Sequence, residues 1–85
     1  MADLDRRLAK MDANSPVGPW TGSTLRIIGD QPGTVSTRLA EQLDRERFSF
    51  KADVRKLKKL GLTRSLEVGY ELSPRGQAYL DRRPP

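Results

Sequence analysis

Nine lysine and arginine residues fall between Arg38 and Arg64, at positions 38, 45, 47, 51, 55, 56, 58, 59 and 64, against four acids at 41, 44, 46 and 53. The formal excess of +5 therefore lies on about one third of the chain, because the seven basic and seven acidic residues elsewhere cancel. Clustering of this kind is the footprint expected for a polyanion partner, since each cation set against a phosphate releases a condensed counterion. The same charges on an exposed, solvated helix would also serve solubility alone. Other chemistry is thinly supplied. There is no cysteine and no histidine, so thiol nucleophiles, disulfides and the usual zinc, haem and iron–sulfur ligands are missing. Acid–base work would fall to Asp, Glu, Lys, Ser or Tyr, and spacing offers no convergent pair, so neither an enzyme nor a metal or cofactor is expected.

The elements that must carry these charges follow from periodicity. Leu4, Leu8 and Met11 form a short apolar stripe ahead of Asn14-Ser15-Pro16-Val17-Gly18-Pro19, whose prolines oppose helix continuation. Residues 1–20 are read as an N-terminal arm separate from the core, a short helix or a partly disordered segment with a Pro/Gly linker, with Trp20 as a lid where it joins. A single domain is expected over 21–81 and a frayed tail over 82–85. Within the domain, Thr21-Gly22-Ser23-Thr24 offers hydroxyl caps to a first helix over about 22–30. A second runs from Val35 or Ser36 to Asp44, burying Leu39, Ala40 and Leu43. A third, with Ser49 as its N-cap, puts Phe50, Val54, Leu57 and Leu60 on one face and stops at Gly61. Alternation of Leu66, Val68, Tyr70 and Leu72 reads as a small β-hairpin interrupted by Gly69. Ser73-Pro74 then opens a last helix to about Asp81. The fold class expected is mainly α with a small β-hairpin.

Three helices, a tight hairpin and a closing helix are the elements of a winged helix-turn-helix, and particular segments sharpen the likeness. Pro32-Gly33-Thr34-Val35-Ser36-Thr37-Arg38-Leu39-Ala40-Glu41-Gln42-Leu43 resembles the entry to the second helix of bacterial winged-helix regulators. Val54-Arg55-Lys56-Leu57-Lys58-Lys59-Leu60-Gly61-Leu62 resembles their recognition-helix exit. The stretch from Tyr70 to Leu80 is similar to the sequence after the wing in regulators of the multiple-antibiotic-resistance type and in haloarchaeal phage-repressor-like proteins, and Phe50 to Tyr70 resembles a segment of uncharacterised actinobacterial proteins. The resemblance implies a three-helix core, a short wing and a C-terminal helix, with double-stranded DNA as the partner and transcription regulation as the role.

On that reading the third helix, about 49–60, enters a major groove. Ser49, Lys51, Ala52 and Arg55 are its candidates for base contacts, and Arg55 leads because a guanidinium bonds a guanine O6/N7 pair bidentately. Arg38, Arg45, Arg47, Lys56, Lys59 and Arg64 are the candidates for phosphate contacts. Thr34, Ser36 and Thr37 could donate hydroxyls there or simply cap the second helix. The hairpin fits this role less well. Glu67 and Val68 occupy its tip and Glu71 its return strand, and a carboxylate beside phosphates is repulsive, so the tip is expected not to insert. Only Arg64 or Arg75 at its base would reach the backbone.

A rival reading keeps the scaffold and changes the partner, making the domain a protein-interaction module. The acidic tip, the Leu4/Leu8/Met11 stripe and Trp20 favour it, and fold alone does not fix function. A homodimer would pair through that stripe or through Tyr79 and Leu80. No small-molecule ligand is expected, because an effector site would need a dimer crevice. The absence of a long apolar segment and of a signal-type N-terminus suggests a cytoplasmic protein, nucleoid-associated if it binds DNA.

Overall fold

The computed structural model describes residues 2–82, and residues 83–85 of the expected tail lie outside the described residues. Five helices and one antiparallel hairpin follow in the order α1 (Ala2–Ala13), α2 (Thr21–Asp30), α3 (Ser36–Gln42), α4 (Arg47–Lys59), β1 (Thr63–Ser65), β2 (Tyr70–Leu72) and α5 (Pro74–Arg82). The chain is thus mainly helical with a small hairpin, as its periodicity indicates.

The N-terminal stretch is where sequence and structure part. Read as an arm apart from the core, it forms α1 and buries Leu4 and Leu8 at 2% and 1% exposure. Asp3 and Asp5 in the first turn and Lys10 in the last suit the helix dipole, and Asp3 pairs with Arg7 one turn on at 3.2 Å. Pro16 and Pro19 do end the helix, but the chain then doubles back so that Trp20 packs with Leu4 and Leu8. The cap of α2 comes from this reversal. Trp20, at the N-cap, has no capping side chain. Instead the Asp12 carboxylate accepts the Trp20 and Thr21 amides through Oδ1, at 2.8 and 2.9 Å, and the Thr21 hydroxyl through Oδ2 at 2.8 Å. The local hydroxyls expected as caps are therefore not used as such.

Two apolar clusters share α2 and α4. Leu4, Leu8, Trp20, Leu25, Leu57, Leu62 and Tyr79 make one. Ile27, Ile28, Leu39, Ala40, Phe50 and Val54 make the other. Leu72 packs against both, so the second strand bridges them. Residues 43–46 turn α3 into α4 with Asp44 in the left-handed region at φ 54°, and the Arg45 amide donates to the Ala40 carbonyl at 2.8 Å. Gln31 and Gln42 exchange amide hydrogen bonds of 2.6 and 2.9 Å that clip the end of α2 to α3.

The hairpin register pairs Thr63 with Leu72, Arg64 with Glu71 and Ser65 with Tyr70. The strand pattern read through Leu66 and Val68 stops at Ser65, and both apolar residues stand exposed at the tip, at 40% and 61%. That tip is held down rather than projecting. The Gly33 amide donates to the Tyr70 carbonyl at 2.8 Å. A Cβ on Gly69 would lie 2.5 Å from the backbone of Gly33 and Thr34, and its φ is +78°, so only glycine fits there. At the other end the Ser73 hydroxyl donates to the Gly61 carbonyl and accepts the Gly76 amide, the latter at 3.0 Å, fixing the start of α5 against the end of α4.

Candidate nucleic-acid interface

Helix α4 carries most of the candidate contact residues, and its N-terminus is set by a residue the sequence reading passed over. Glu46, not Ser49, is the N-cap: its carboxylate accepts the Phe48 and Ser49 amides at 2.7 and 2.9 Å. Those two backbone hydrogen bonds, aided by Arg47 and Arg45 nearby, hold the Glu46 carboxyl below its ordinary pKa of 4.5. Serine is among the preferred N-cap residues and glutamate is not, so composition alone points to Ser49. The helix consequently starts three residues before the start a Ser49 cap implies, with Phe48 in its first turn.

Phe50, Val54 and Leu57 fix α4 on the core, at 0%, 2% and 0% exposure. Among the base-contact candidates, Ser49, Lys51, Ala52 and Arg55 are all exposed. Lys51 and Arg55 make no ion pair among the described residues. Ser49 is partly engaged, since its hydroxyl accepts from Arg45 at 3.2 Å. Lys56, Lys58 and Lys59 in the last turn are also exposed, where cations favour the negative end of the helix dipole in their own right. Lys56 reaches back to Asp53 at 3.3 Å.

Arg45 must be reassigned. Expected to meet phosphate, it has only 10% of its side chain exposed and pairs with Asp53, itself 11% exposed, at 2.5 Å. Its guanidinium also lies 5.9 Å from the centre of the Phe50 ring. Turning it toward solvent would leave a buried carboxylate with only the exposed Lys56 as partner, so the residue serves the 43–46 turn. Arg47 remains at the surface, stacked over Phe48 at 4.8 Å. Arg64 is half committed, paired with Glu71 across the hairpin at 2.7 Å. Arg38, on α3, is exposed beside a shallow recess it shares with Val35, Thr37, Glu41 and Gln42.

Two further residues escape a reading of the sequence. Asp53 sits three positions after Phe50, on the buried face, and a carboxylate there demands a partner; that demand was the available signal. Phe48 is 68% exposed, and the helical wheel that points Arg55 and Lys59 outward points Phe48 the same way. Of the residues expected to serve a protein partner or a dimer, Met11 and Leu80 are half-buried and Glu67 at the hairpin tip is exposed, whereas four others are buried. Leu4, Leu8, Trp20 and Tyr79 are buried at 5% or less.

Among the described residues, no helix is long and apolar enough to cross a membrane, and no group of three or more His, Cys, Asp or Glu could hold a metal ion. No protein-family model matches the chain, and no curated protein is significantly similar to it.

Proposed function

We propose that this chain is a winged helix-turn-helix protein that binds double-stranded DNA through α4, acting as a small transcriptional regulator. Its recognition unit would be α3, the 43–46 turn and α4. The observation that carries the reading is the outer surface of α4, where Lys51, Arg55, Lys58 and Lys59 are exposed and form no ion pair among the described residues. A helix of 13 residues is about 20 Å long, enough to lie in a major groove about 12 Å wide. Arg55 supplies the bidentate donor for guanine. Ala52 and Phe48 supply apolar contacts of the kind that read a thymine methyl. Lys59, Arg47 and Arg38 meet phosphates. The hairpin is a brace in this scheme, because Gly69 is seated on the α2–α3 loop and Arg64 is drawn toward Glu71.

Selection of bound sequences from a random duplex pool tests the division of labour. Arg55→Ala should flatten the preference at one or two positions, at a cost of about 1–3 kcal/mol per lost bidentate pair. Lys59→Ala should weaken all duplexes alike and leave the preferred sequence unchanged. Uniform loss in both variants would remove base readout from α4.

A further inference from the structure

We propose that the groove between α1 and α4 is a binding site for a small amphipathic anion, a carboxylate on an aliphatic or aromatic body. The groove lies within one chain and offers about 700 Å³, inside the range of roughly 300–1,000 Å³ common to small-molecule sites. Its apolar lining comes from Met11, Val17, Trp20 and Leu60. Val17 is 56% exposed and Met11 and Leu60 are only half-buried, so this surface has no full cover among the described residues.

The charges around it have one sign left over. Arg7, Lys10, Lys56 and Lys59 all border the groove. Arg7 is engaged by Asp3 and Lys56 by Asp53, whereas Lys10 and Lys59 have no ion-pair partner among the described residues. The one acid in the lining, Asp53, is closed off by Arg45 and Lys56. A ligand that buries an apolar body against Met11, Val17 and Leu60 therefore meets two uncommitted ammonium groups at the rim. A neutral ligand leaves those cations unused, and a second copy of this chain would bring cations against cations. A short carboxylate such as acetate lacks the apolar body that the lining rewards.

Trp20 is the only tryptophan and lines this groove, so its emission responds to a ligand bound there. The full chain is titrated with octanoate, octylammonium, octanol and acetate, following Trp20 fluorescence and the heat of binding in parallel. Saturable binding of octanoate is expected, with the other three compounds roughly tenfold weaker or more. The Lys10→Glu/Lys59→Glu variant should keep its circular dichroism and thermal midpoint, because both side chains are exposed, and should bind octanoate roughly tenfold more weakly. Octanoate binding that is absent by both readouts, that is matched by octylammonium, or that survives the double variant overturns the proposal. So does displacement of octanoate by an acidic amphipathic peptide at lower concentration, or a concentration-dependent dimer that octanoate fails to dissociate. No duplex is present, so failure here leaves the DNA reading untouched, and the reverse holds as well.

Discussion

The pair Arg45–Asp53 puts two opposite charges where water hardly reaches, with 10% and 11% of the side chains exposed. Breaking such a pair on one side is costly because the survivor stays buried, while replacing both sides with apolar groups of similar shape is close to neutral. Arg45→Met should therefore lower unfolding stability by about 3 kcal/mol, and Arg45→Met with Asp53→Leu should recover all but about 1 kcal/mol. Urea denaturation of the two variants measures both. Glu46 works through a different balance. Its folded pKa is lowered by the Phe48 and Ser49 amides first and by Arg47 and Arg45 after them, so the unfolded chain takes up its proton more readily. The resulting stability is complete above the ordinary carboxylate value of 4.5 and is lost as pH falls through the lowered folded value. Stability measured from neutral pH downward should fall in that window for the native protein, and the fall should be smaller in Glu46→Gln. Equal slopes for the two would show that the cap carries no linkage. Counting charges along the sequence found Arg45 and missed its role, because a charge count is blind to pairing, and pairing arises only when the 43–46 turn sets Arg45 against α4.

Helices α2 to α5 were legible because each has a local signal strong enough to survive folding: apolar residues at helical spacing, Gly61 after α4, and Ser73-Pro74 before α5. Helix α1 was only half legible. Three apolar residues mark a stripe, but its destination depends on the reversal at 14–19, and nothing local says that the chain turns back onto its own start. The Asp12 cap belongs to the same class, since it joins residues eight and nine positions apart in two different helices. Asp12→Ala should strip three donors of their acceptor, one of them the hydroxyl of Thr21, which is fully buried. The expected loss is about 2 kcal/mol, with α1 and the Trp20 environment the first to loosen. Hydrogen exchange should show protection falling at the start of α2 and not at α5. The hairpin repeats the lesson in reverse. Alternation through Leu66 and Val68 reads as strand, yet the ladder ends at Ser65, because residues 66–69 are the turn itself, closed by the Leu66 amide donating to the Gly69 carbonyl at 2.9 Å.

For the whole molecule, α1 belongs to the same folded unit as the rest. The radius of gyration is 11.8 Å, the roughly 12 Å expected of one compact unit of this length rather than of a domain with a detached arm. The net charge of +5 is consequently carried by a particle only 31 × 29 × 24 Å across, with its excess concentrated on α4. A single unit of this size offers DNA an interface of about 600–1,000 Å², in which phosphate contacts supply most of the affinity. The most direct measurement is the affinity for a duplex as a function of salt concentration. With three or four phosphates met by Lys59, Arg47, Arg38 and their neighbours, log K should fall against log salt with a slope of about −3 to −4, and Lys59→Ala should reduce that slope by about 1. Affinity that is absent at low salt, or that salt leaves unchanged, would contradict DNA binding through α4.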